Sequence, residues 1–337
     1  MSQNAELAGR LEAALSRHLG AATKIHDFAR LTGGATKGTY QFTAEHGGKS
    51  EKLILQLTTV SERMDPSVDA TPRLDGTSDA RLMIAAAKAG VKVPQVRVIL
   101  DDADGMGSGY VTGFVAGQTL GSKLARDPAF AAIGPTMARQ AGEALAATHS
   151  IDPATLPFLA RQGAADQVRI YTDVADHLAP DLPLLAYALR WVAQQVPPPT
   201  ELTVIHGDFR NGNIIATPER GIEAVIDWEI GQIGDPMQDL GWFCVKTWRF
   251  GGKLPAGGFG SREALFEGYE KAGGRTVDPA RVRFWEAFGS VRWAVMCLRK
   301  GMLYATAEEP ISIEQCTIGR RIEEGLYDFL NLIEGRD

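Results

Sequence analysis

The chain has 337 residues, and 35 lysines and arginines against 41 aspartates and glutamates give it a formal charge of -6. Its 45% hydrophobic and 23% charged residues are an ordinary globular composition, which excludes a disordered chain, a collagen-like chain and a disulfide-stapled miniprotein. The mildly acidic balance also argues against general binding to nucleic acid or to a membrane surface.

The cysteines and the N-terminal residues predict a cytoplasmic protein. Cys244, Cys297 and Cys316 lie too far apart in sequence for a CxxC redox pair or for zinc knuckles, so we interpret them as small buried hydrophobic residues in a reducing compartment. Charged residues interrupt the N-terminal segment, so no signal peptide is predicted, and no apolar stretch reaches the length of about 18 residues that would indicate a membrane span.

The first third of the chain is predicted to form a helix followed by an antiparallel sheet. Leucines recur every four residues at positions 7, 11, 15 and 19, so they share one face of a helix that ends at Gly20 and packs on the next element. Strands are predicted on both sides of a glycine-rich turn in ARLTGGATKGTYQFTAE, and then in KLILQL, VPQVRVIL and GYVTGFVAG. A helix through Leu82 precedes the last two strands and ends at Gly90.

Beyond Gly117 the pattern changes to long helices, for example through residues 137–145 and 318–333. Two strand fragments, NIIAT and EAVID, interrupt this helical half and are joined by a turn from Pro218 to Gly221. We place a lobe boundary at the change in pattern. It divides the chain into an N-terminal lobe of residues 1–113 and a C-terminal lobe of residues 114–337.

The strongest chemical signal is the loop HGDFRNGN, which begins at His206, followed across a hairpin by IDWE, which begins at Ile226. Asp208, Asn213 and Asp227 offer oxygen ligands with no cysteine among them, and this donor set suits magnesium. The catalytic loop of protein kinases separates its base aspartate and its metal-binding asparagine by the same five residues. The alternative, a polar loop with incidental acids, does not account for the loop spacing, the hairpin and the second aspartate together.

These motifs resemble those of the aminoglycoside phosphotransferase and choline kinase group, which are small-molecule kinases. HGDFRNGN matches the HGDxxxxN loop of that group, IDWE matches its metal-binding segment, and GDPMQDL, which begins at Gly234, matches the GDPxxDL that follows. The resemblance extends from about residue 28 to about residue 330. The branch it resembles most includes members that are fused to acyl-CoA dehydrogenases and are similar to kinases of hydroxyacyl-CoA compounds.

The resemblance implies a two-lobed, protein-kinase-like α+β fold with an N-terminal antiparallel sheet lobe, a hinge near residues 112–115 and a mainly helical C-terminal lobe. It implies that ATP and Mg²⁺ bind between the lobes, that Asp208 is the catalytic base, and that Asn213 and Asp227 hold the metal. The implied nucleotide-binding residues are Gly33, Gly34, Thr36 and Lys37 in the glycine-rich turn, Gln56 on the third strand, and Gly113, Phe114 and Val115 at the hinge.

Gln56 departs from the pattern of the group. It stands where the third strand normally presents a lysine or arginine to the nucleotide phosphates, and Asp79 aligns with the glutamate that usually pairs with that cation. A neutral amide can donate a hydrogen bond to a phosphate oxygen but cannot neutralise its charge. Lys37 or Lys52 would have to compensate, or the activity is weak.

Several residues around the loop are predicted to support it. Asp235 and Asp239 are expected to brace the loop as hydrogen-bond acceptors at helix N-termini, and His206 is expected to fix it through hydrogen bonds. Trp242 is predicted to be a core residue, whereas Trp228 is a candidate wall of the site.

The acceptor is predicted to be a small molecule with a hydroxyl group, with no nucleic acid or membrane partner and with the oligomeric state open. We favour a hydroxyacyl-CoA or a similar metabolite, whose phosphates could contact Arg249, Lys253, Arg292, Arg299 and Lys300. An aminoglycoside-type antibiotic kinase and a non-catalytic binding protein of the same fold remain alternatives. A protein kinase is disfavoured because only a few residues separate IDWE from GDPMQDL, which leaves no room for an activation segment.

Overall fold

The computed structural model describes residues 3–31, 37–58, 70–273, 275–306 and 313–336. The chain begins with helix α1 (Gln3–Leu19) and three strands, β1 (Thr23–Arg30), β2 (Lys37–His46) and β3 (Lys49–Thr58). The leucine repeat of α1 forms a buried face, because Leu11 and Leu15 are fully enclosed and pack with Leu53 and Leu55 of β3. The prediction of an N-terminal helix docked on the next element is therefore confirmed.

Helix α2 (Gly76–Lys88) and strands β4 (Val96–Ile99) and β5 (Gly109–Gly113) complete the N-terminal part. The five strands form one antiparallel sheet in the order β1-β2-β3-β5-β4. Successive side chains of a strand point to opposite faces, so Leu55 faces α1 while Gln56 faces α2. Helix α2 starts at Asp75, whose side chain accepts a hydrogen bond from the Ser78 N–H at 2.7 Å, and Gly90, at φ +98°, follows its C-terminal end as predicted.

The remainder of the chain is mainly helical. Its helices are α3 (Gly121–Arg126), α4 (Gly134–His149), α5 (Ala164–Leu178), α6 (Pro183–Gln194), α7 (Pro236–Cys244), α8 (Arg262–Gly273), α9 (Pro279–Thr306), α10 (Ile313–Gly319) and α11 (Ile322–Ile333). A shared apolar core joins residues of α4, α5, α6, α7, α9 and α11. Within the described ranges no helix is long and apolar enough to cross a lipid bilayer.

Two short antiparallel ladders lie within this helical part. Strands β7 (Ile214–Thr217) and β8 (Gly221–Val225) form the hairpin that the sequence predicted. Strands β6 (Thr203–Ile205) and β9 (Gln232–Gly234) form a second ladder that the sequence did not reveal. Three residues are too short to display the alternation by which a strand is recognised.

The β7–β8 hairpin is attached to the segment that follows β5 on one side and to the N-terminal part on the other. The Gln118 N–H donates to the Ala216 carbonyl at 2.8 Å, and the Ala216 N–H donates back to the Gln118 carbonyl at 3.1 Å. On the other edge, the Val225 N–H donates to the Lys92 carbonyl at 2.8 Å and the Lys92 Nζ donates to the Ile222 carbonyl at 2.9 Å. The sheet ends at Gly113, and the lobe boundary between residues 113 and 114 stays a prediction.

Candidate active site

Asp208 lies in the loop between β6 and β7, and three side chains donate hydrogen bonds to its carboxylate. The Trp242 Nε1 donates to Oδ1 at 2.8 Å, the Asn213 Nδ2 donates to Oδ2 at 2.8 Å, and the Arg210 Nε lies 3.1 Å from Oδ2. The Asp208 side chain is 18% exposed, so one part of it remains accessible. Donors on three sides fix the carboxylate in one orientation, as a catalytic base requires.

Asn213 and Asp227 are brought together by the backbone of the hairpin. The Ile226 N–H donates to the Asn213 carbonyl at 2.9 Å, so Asp227 follows directly on the residue bonded to Asn213. Asp227 has φ +64°, a left-handed conformation that is unfavourable for a residue other than glycine and that clusters at functional sites. The predicted metal ligands therefore come from adjacent backbone positions.

The donor chemistry of these two residues fits magnesium. The Asn213 Nδ2 donates both to the Asp208 Oδ2 and, at 2.9 Å, to the Asp208 carbonyl. The amide nitrogen is thereby turned toward Asp208, and no described residue donates a hydrogen bond to the Asn213 Oδ1. That oxygen and the Asp227 carboxylate are the hard oxygen ligands that magnesium prefers.

The side chain of Asp239, in α7, binds the backbone at the start of the loop that carries Asp208. Its carboxylate accepts hydrogen bonds from the His206 N–H at 2.8 Å, the Gly207 N–H at 2.9 Å and the His149 Nε2 at 3.2 Å. Burial alone would raise the pKa of Asp239, but the hydrogen bond from His149 and the electrostatic interactions with the imidazole rings of His149 and His206 outweigh it and lower that pKa. An ionised carboxylate is the acceptor that this loop needs.

His206 connects the loop that carries Asp208 with the residue that precedes Asp227. Its Nδ1 accepts a hydrogen bond from the Asp208 N–H at 3.2 Å, and its Nε2 donates to the Ile226 carbonyl at 3.1 Å. The predicted role of His206 in fixing the loop agrees with these contacts. The Trp228 ring packs against His206 with 4.5 Å between ring centroids and an angle of 46° between the ring planes. It is fully buried, so it supports the loop from inside instead of forming an accessible wall.

The two acids of GDPMQDL act differently from each other. Asp235 is the N-cap of α7, as predicted: its side chain accepts from the Met237 N–H at 2.9 Å and from the Arg281 Nε at 2.5 Å. Asp239 lies in the first turn of α7 but directs its carboxylate away from the helix, to the backbone of the catalytic loop.

Gln56 and Asp79 are joined by Tyr110, a residue that the sequence did not single out. The Tyr110 hydroxyl lies within hydrogen-bond distance of both the Gln56 Oε1 and the Asp79 Oδ2, 2.9 Å from the latter, and its single proton is donated to one of the two oxygens at a time. The strand register places Tyr110 of β5 directly opposite Gln56 of β3. The positions where relatives pair a cation with a carboxylate are thus connected here through a phenol.

The predicted hinge residues have different roles in the structure. The Gly113 N–H donates to the Gln95 carbonyl at 2.9 Å and the Phe114 N–H donates to the Lys52 carbonyl at 3.0 Å. In the described ranges the Val115 N–H has no hydrogen-bond acceptor. The Phe114 ring is 40% exposed, and the Lys52 Nζ lies 4.2 Å from its centroid. Val115 therefore keeps an N–H available for a ligand.

Gly33, Gly34 and Thr36 of the predicted phosphate loop lie outside the described residues. The backbone of Lys37 is described and pairs with Thr58 at the start of β2.

Arg249 is not available for a substrate phosphate, contrary to the prediction. It is buried and donates to the Cys244 carbonyl at 3.0 Å and to the Glu286 Oε1 at 2.9 Å. Arg262 donates to both oxygens of Glu286 at 2.8 Å. Burial raises the pKa of Glu286, and the two arginines oppose that effect. Arg249 is therefore part of a buried ion-pair network.

The sequence model of the phosphotransferase enzyme family matches residues 27–285. The chain belongs to this family. This membership confirms the prediction that the chain is a phosphotransferase. It also agrees with the predicted resemblance to small-molecule kinases.

Individual relatives support the same fold. The chain is 29% identical over 191 residues to acyl-CoA dehydrogenase family member 10 of Mus musculus, a match that covers 53% of this chain and only 17% of the mouse protein. A Ralstonia eutropha JMP134 protein proposed to be an aminoglycoside phosphotransferase has a TM-score of 0.71, 21% identity and coverage of 97% of this chain and 98% of its own. A spectinomycin phosphotransferase in complex with ADP and spectinomycin has a TM-score of 0.60, 14% identity and coverage of 96% and 98%. The two solved structures confirm the two-lobed kinase-like fold.

Proposed function

We propose that the chain is an ATP- and magnesium-dependent kinase that transfers a phosphoryl group to a hydroxyl of a small molecule. The observation that carries this proposal is the orientation of Asp208 by Trp242 and Asn213, with Asp227 in a strained conformation on the neighbouring turn. This arrangement supplies a base and two oxygen ligands in the roles that phosphoryl transfer requires.

Each residue has one task in this proposal. Asp208 orients the acceptor hydroxyl and accepts its proton. Asn213 and Asp227 would hold magnesium, which supplies neutralisation of the charge on the phosphates when it is bound. Asp239 and His206 keep the loop in place, so that little reorganisation is needed when the acceptor binds.

The nucleotide would bind at the edge of the sheet. The Val115 N–H and the exposed Phe114 ring are suited to a nucleobase, because one offers a hydrogen-bond donor and the other an aromatic surface. Gln56 can donate its amide to a phosphate oxygen, and Lys52 beside Phe114 supplies a cation at the same edge of the cleft.

For the acceptor we propose a hydroxyacyl-CoA or a similar hydroxylated metabolite. The similarity to acyl-CoA dehydrogenase family members supports this choice, although it spans a small share of the mouse relative's length. Arg210 lies against the catalytic carboxylate, and a cation in that position disfavours a polycationic acceptor such as an aminoglycoside.

A second candidate function is a non-catalytic nucleotide-binding member of the fold. Gln56 favours it, because the cation of the third strand is absent at that position. It predicts nucleotide binding without turnover of any acceptor.

The Asp208→Asn variant tests catalysis. With a panel of hydroxyacyl-CoA thioesters, free hydroxy acids and aminoglycosides, we expect ADP formation by the variant to fall by about 100-fold or more, the usual contribution of a general base, while affinity for Mg-ATP stays within about threefold. Asp173→Asn, in an exposed ion pair on α5, is the matched control and should behave as wild type. Undiminished turnover by Asp208→Asn would contradict the assigned role.

A further inference from the structure

Arg292 of α9 is an ionisable side chain that the proposed mechanism does not use. It is only 2% exposed. Its Nε donates to the Tyr171 hydroxyl at 3.3 Å, and its guanidinium carbon lies 4.6 Å from the centroid of the Trp242 ring and 5.4 Å from that of Tyr171. Among the described residues no carboxylate forms an ion pair with it.

This lack of a carboxylate distinguishes Arg292 from two other arginines of the helical part. Arg249, which is also buried, has Glu286 at 2.9 Å, and the partly buried Arg281 has Asp235 at 2.5 Å. A charge removed from water is costly unless an opposite charge compensates it. The two aromatic rings offset part of that cost for Arg292, but they provide no negative charge.

The two Nη atoms of Arg292 have no hydrogen-bond partner among the described residues, and neither atom is fully enclosed, although the residue as a whole is only 2% exposed. A planar guanidinium with two unused nitrogens matches the geometry of a carboxylate or phosphate.

The Trp242 indole ring lies between Arg292 and the Asp208 carboxylate. The Trp242 ring that it covers donates its own N–H to the Asp208 Oδ1 at 2.8 Å. A second guanidinium lies nearby, because Arg210 covers the Trp248 ring at 4.9 Å and Trp248 packs on Trp242 with 5.1 Å between centroids. Two guanidinium groups thus lie against the Trp242–Trp248 pair, next to the Asp208 carboxylate.

We propose that Arg292 binds an oxyanion of the acceptor, a carboxylate or a phosphate, and so selects hydroxylated acceptors that carry negative charge. The inference rests on the proposed kinase function and specifies its substrate class. It makes Arg292 a specificity-determining residue, separate from the base and from the metal ligands.

Inorganic sulfate is the first probe, since it tests the anion site without knowledge of the acceptor. We expect sulfate to raise the Tm of the wild type relative to sodium chloride at equal ionic strength, and to have no such effect on Arg292→Met. Without sulfate, Arg292→Met should be at least as stable as the wild type, because it removes an uncompensated buried charge. A large loss of stability, or an equal response to sulfate in both proteins, would overturn the proposal.

Arg321→Met is the matched control. Like Arg292, Arg321 lies over a tryptophan ring: its guanidinium carbon is 5.4 Å from the centroid of Trp293, in α9. Unlike Arg292, it has an ion-pair partner, Glu324, at 2.8 Å. This variant should keep the wild-type response to sulfate. Arg292→Lys, which retains the charge but not the planar fork, should keep a weakened response.

Turnover then identifies the source of the oxyanion. Hydroxycarboxylates are compared with their amides, and hydroxyacyl-CoA thioesters with the corresponding thioesters of N-acetylcysteamine, which lack the CoA phosphates. We expect the anionic member of one pair to be favoured in kcat/KM by about 30-fold or more in the wild type and not in Arg292→Met, the effect of losing one charged partner. Equal turnover of both members of each pair by the wild type would contradict the proposal. Absence of Mg-ATP binding by the wild type would instead contradict the proposed kinase function itself.

Discussion

The hydrogen bond between the Trp242 indole and the Asp208 carboxylate is the contact that orients the proposed base. A hydrogen bond from Trp242 to the Oδ1 leaves the Asp208 carboxylate less free to rotate, and it stabilises the charged form in a partly buried position. Trp242 touches no reacting atom in this proposal, so it acts as a positioning residue.

Trp242→Phe removes this donor and keeps an aromatic ring. We expect kcat to fall by about tenfold, the equivalent of one hydrogen bond to a charged group, with KM for Mg-ATP unchanged. Trp285→Phe is the control, because Trp285 is equally buried and its Nε1 has no hydrogen-bond partner. Both variants should lose some stability from the smaller ring, so an equal loss of kcat in the two would contradict the positioning role.

At the scale of residues, the sequence predicted the loop but not the side chains that reach it from other elements. Asp208, Asn213 and Asp227 were recognisable because their spacing is local to one loop and one hairpin. Trp242 was predicted only as a core residue, since its apolar neighbours on α7 determine its burial but not the partner of its N–H. Arg249 was misinterpreted because the sequence gives no sign that Glu286, on another helix, faces it.

At the scale of elements, helix α7 fixes the loop that carries Asp208 through its first turn. Asp235 begins the helix, and Asp239, one turn later, accepts the two backbone N–H groups at the start of the loop. Gly207 is required there, because it has φ +80° and a Cβ would lie 2.5 Å from the Ile230 carbonyl oxygen. The helix and the loop therefore form one unit.

Asp239→Asn should loosen this unit. An amide in place of the carboxylate sets an NH2 group against donors, so we expect the free energy of unfolding at pH 7 to fall by about 3 kcal/mol in urea denaturation. The pKa of Asp239 is lowered in the folded protein, so its contribution to stability is present above the unfolded-state pKa of about 3.9 and is lost as the pH falls through the lower folded-state value. Stability of the variant should therefore decline less steeply below about pH 4 than that of the wild type.

Asp101→Asn provides the comparison for Asp239→Asn. Arg17 lowers the pKa of Asp101 as well, but Asp101 lies on the surface, where solvent screens the ion pair. Its replacement should cost much less stability at pH 7. Similar losses of stability in the two variants would show that the hydrogen bonds between Asp239 and the loop stabilise the protein no more than a surface ion pair does.

The elements themselves were predictable in proportion to their length. The four-residue spacing of α1 and the alternation in β2 and β3 extend over many residues, and both were correctly predicted. The β6–β9 ladder was missed, although it supports both ends of the segment that carries the site. Its strands are determined by pairing across the fold and not by a local pattern.

At the scale of the whole molecule, the site depends on both parts of the chain. The β7–β8 hairpin packs into the helical core through Ile214 and Val225, and it is hydrogen-bonded to Gln118, which lies between β5 and α3, and to Lys92 of the N-terminal part. A shift of the sheet relative to the helices would therefore act on Asn213 and Asp227. The sequence predicted two parts with a site between them, but not these connections.

Calorimetric titration of ATP, with and without magnesium, into the wild type, Asp227→Ala and the surface control Asp173→Ala measures whether this site binds the nucleotide through magnesium. We expect magnesium-dependent binding by the wild type and the control, weakened by about tenfold or more in Asp227→Ala. Equal binding by Asp227→Ala, or no binding by the wild type in either condition, would contradict the assignment of a magnesium–nucleotide site to this cleft.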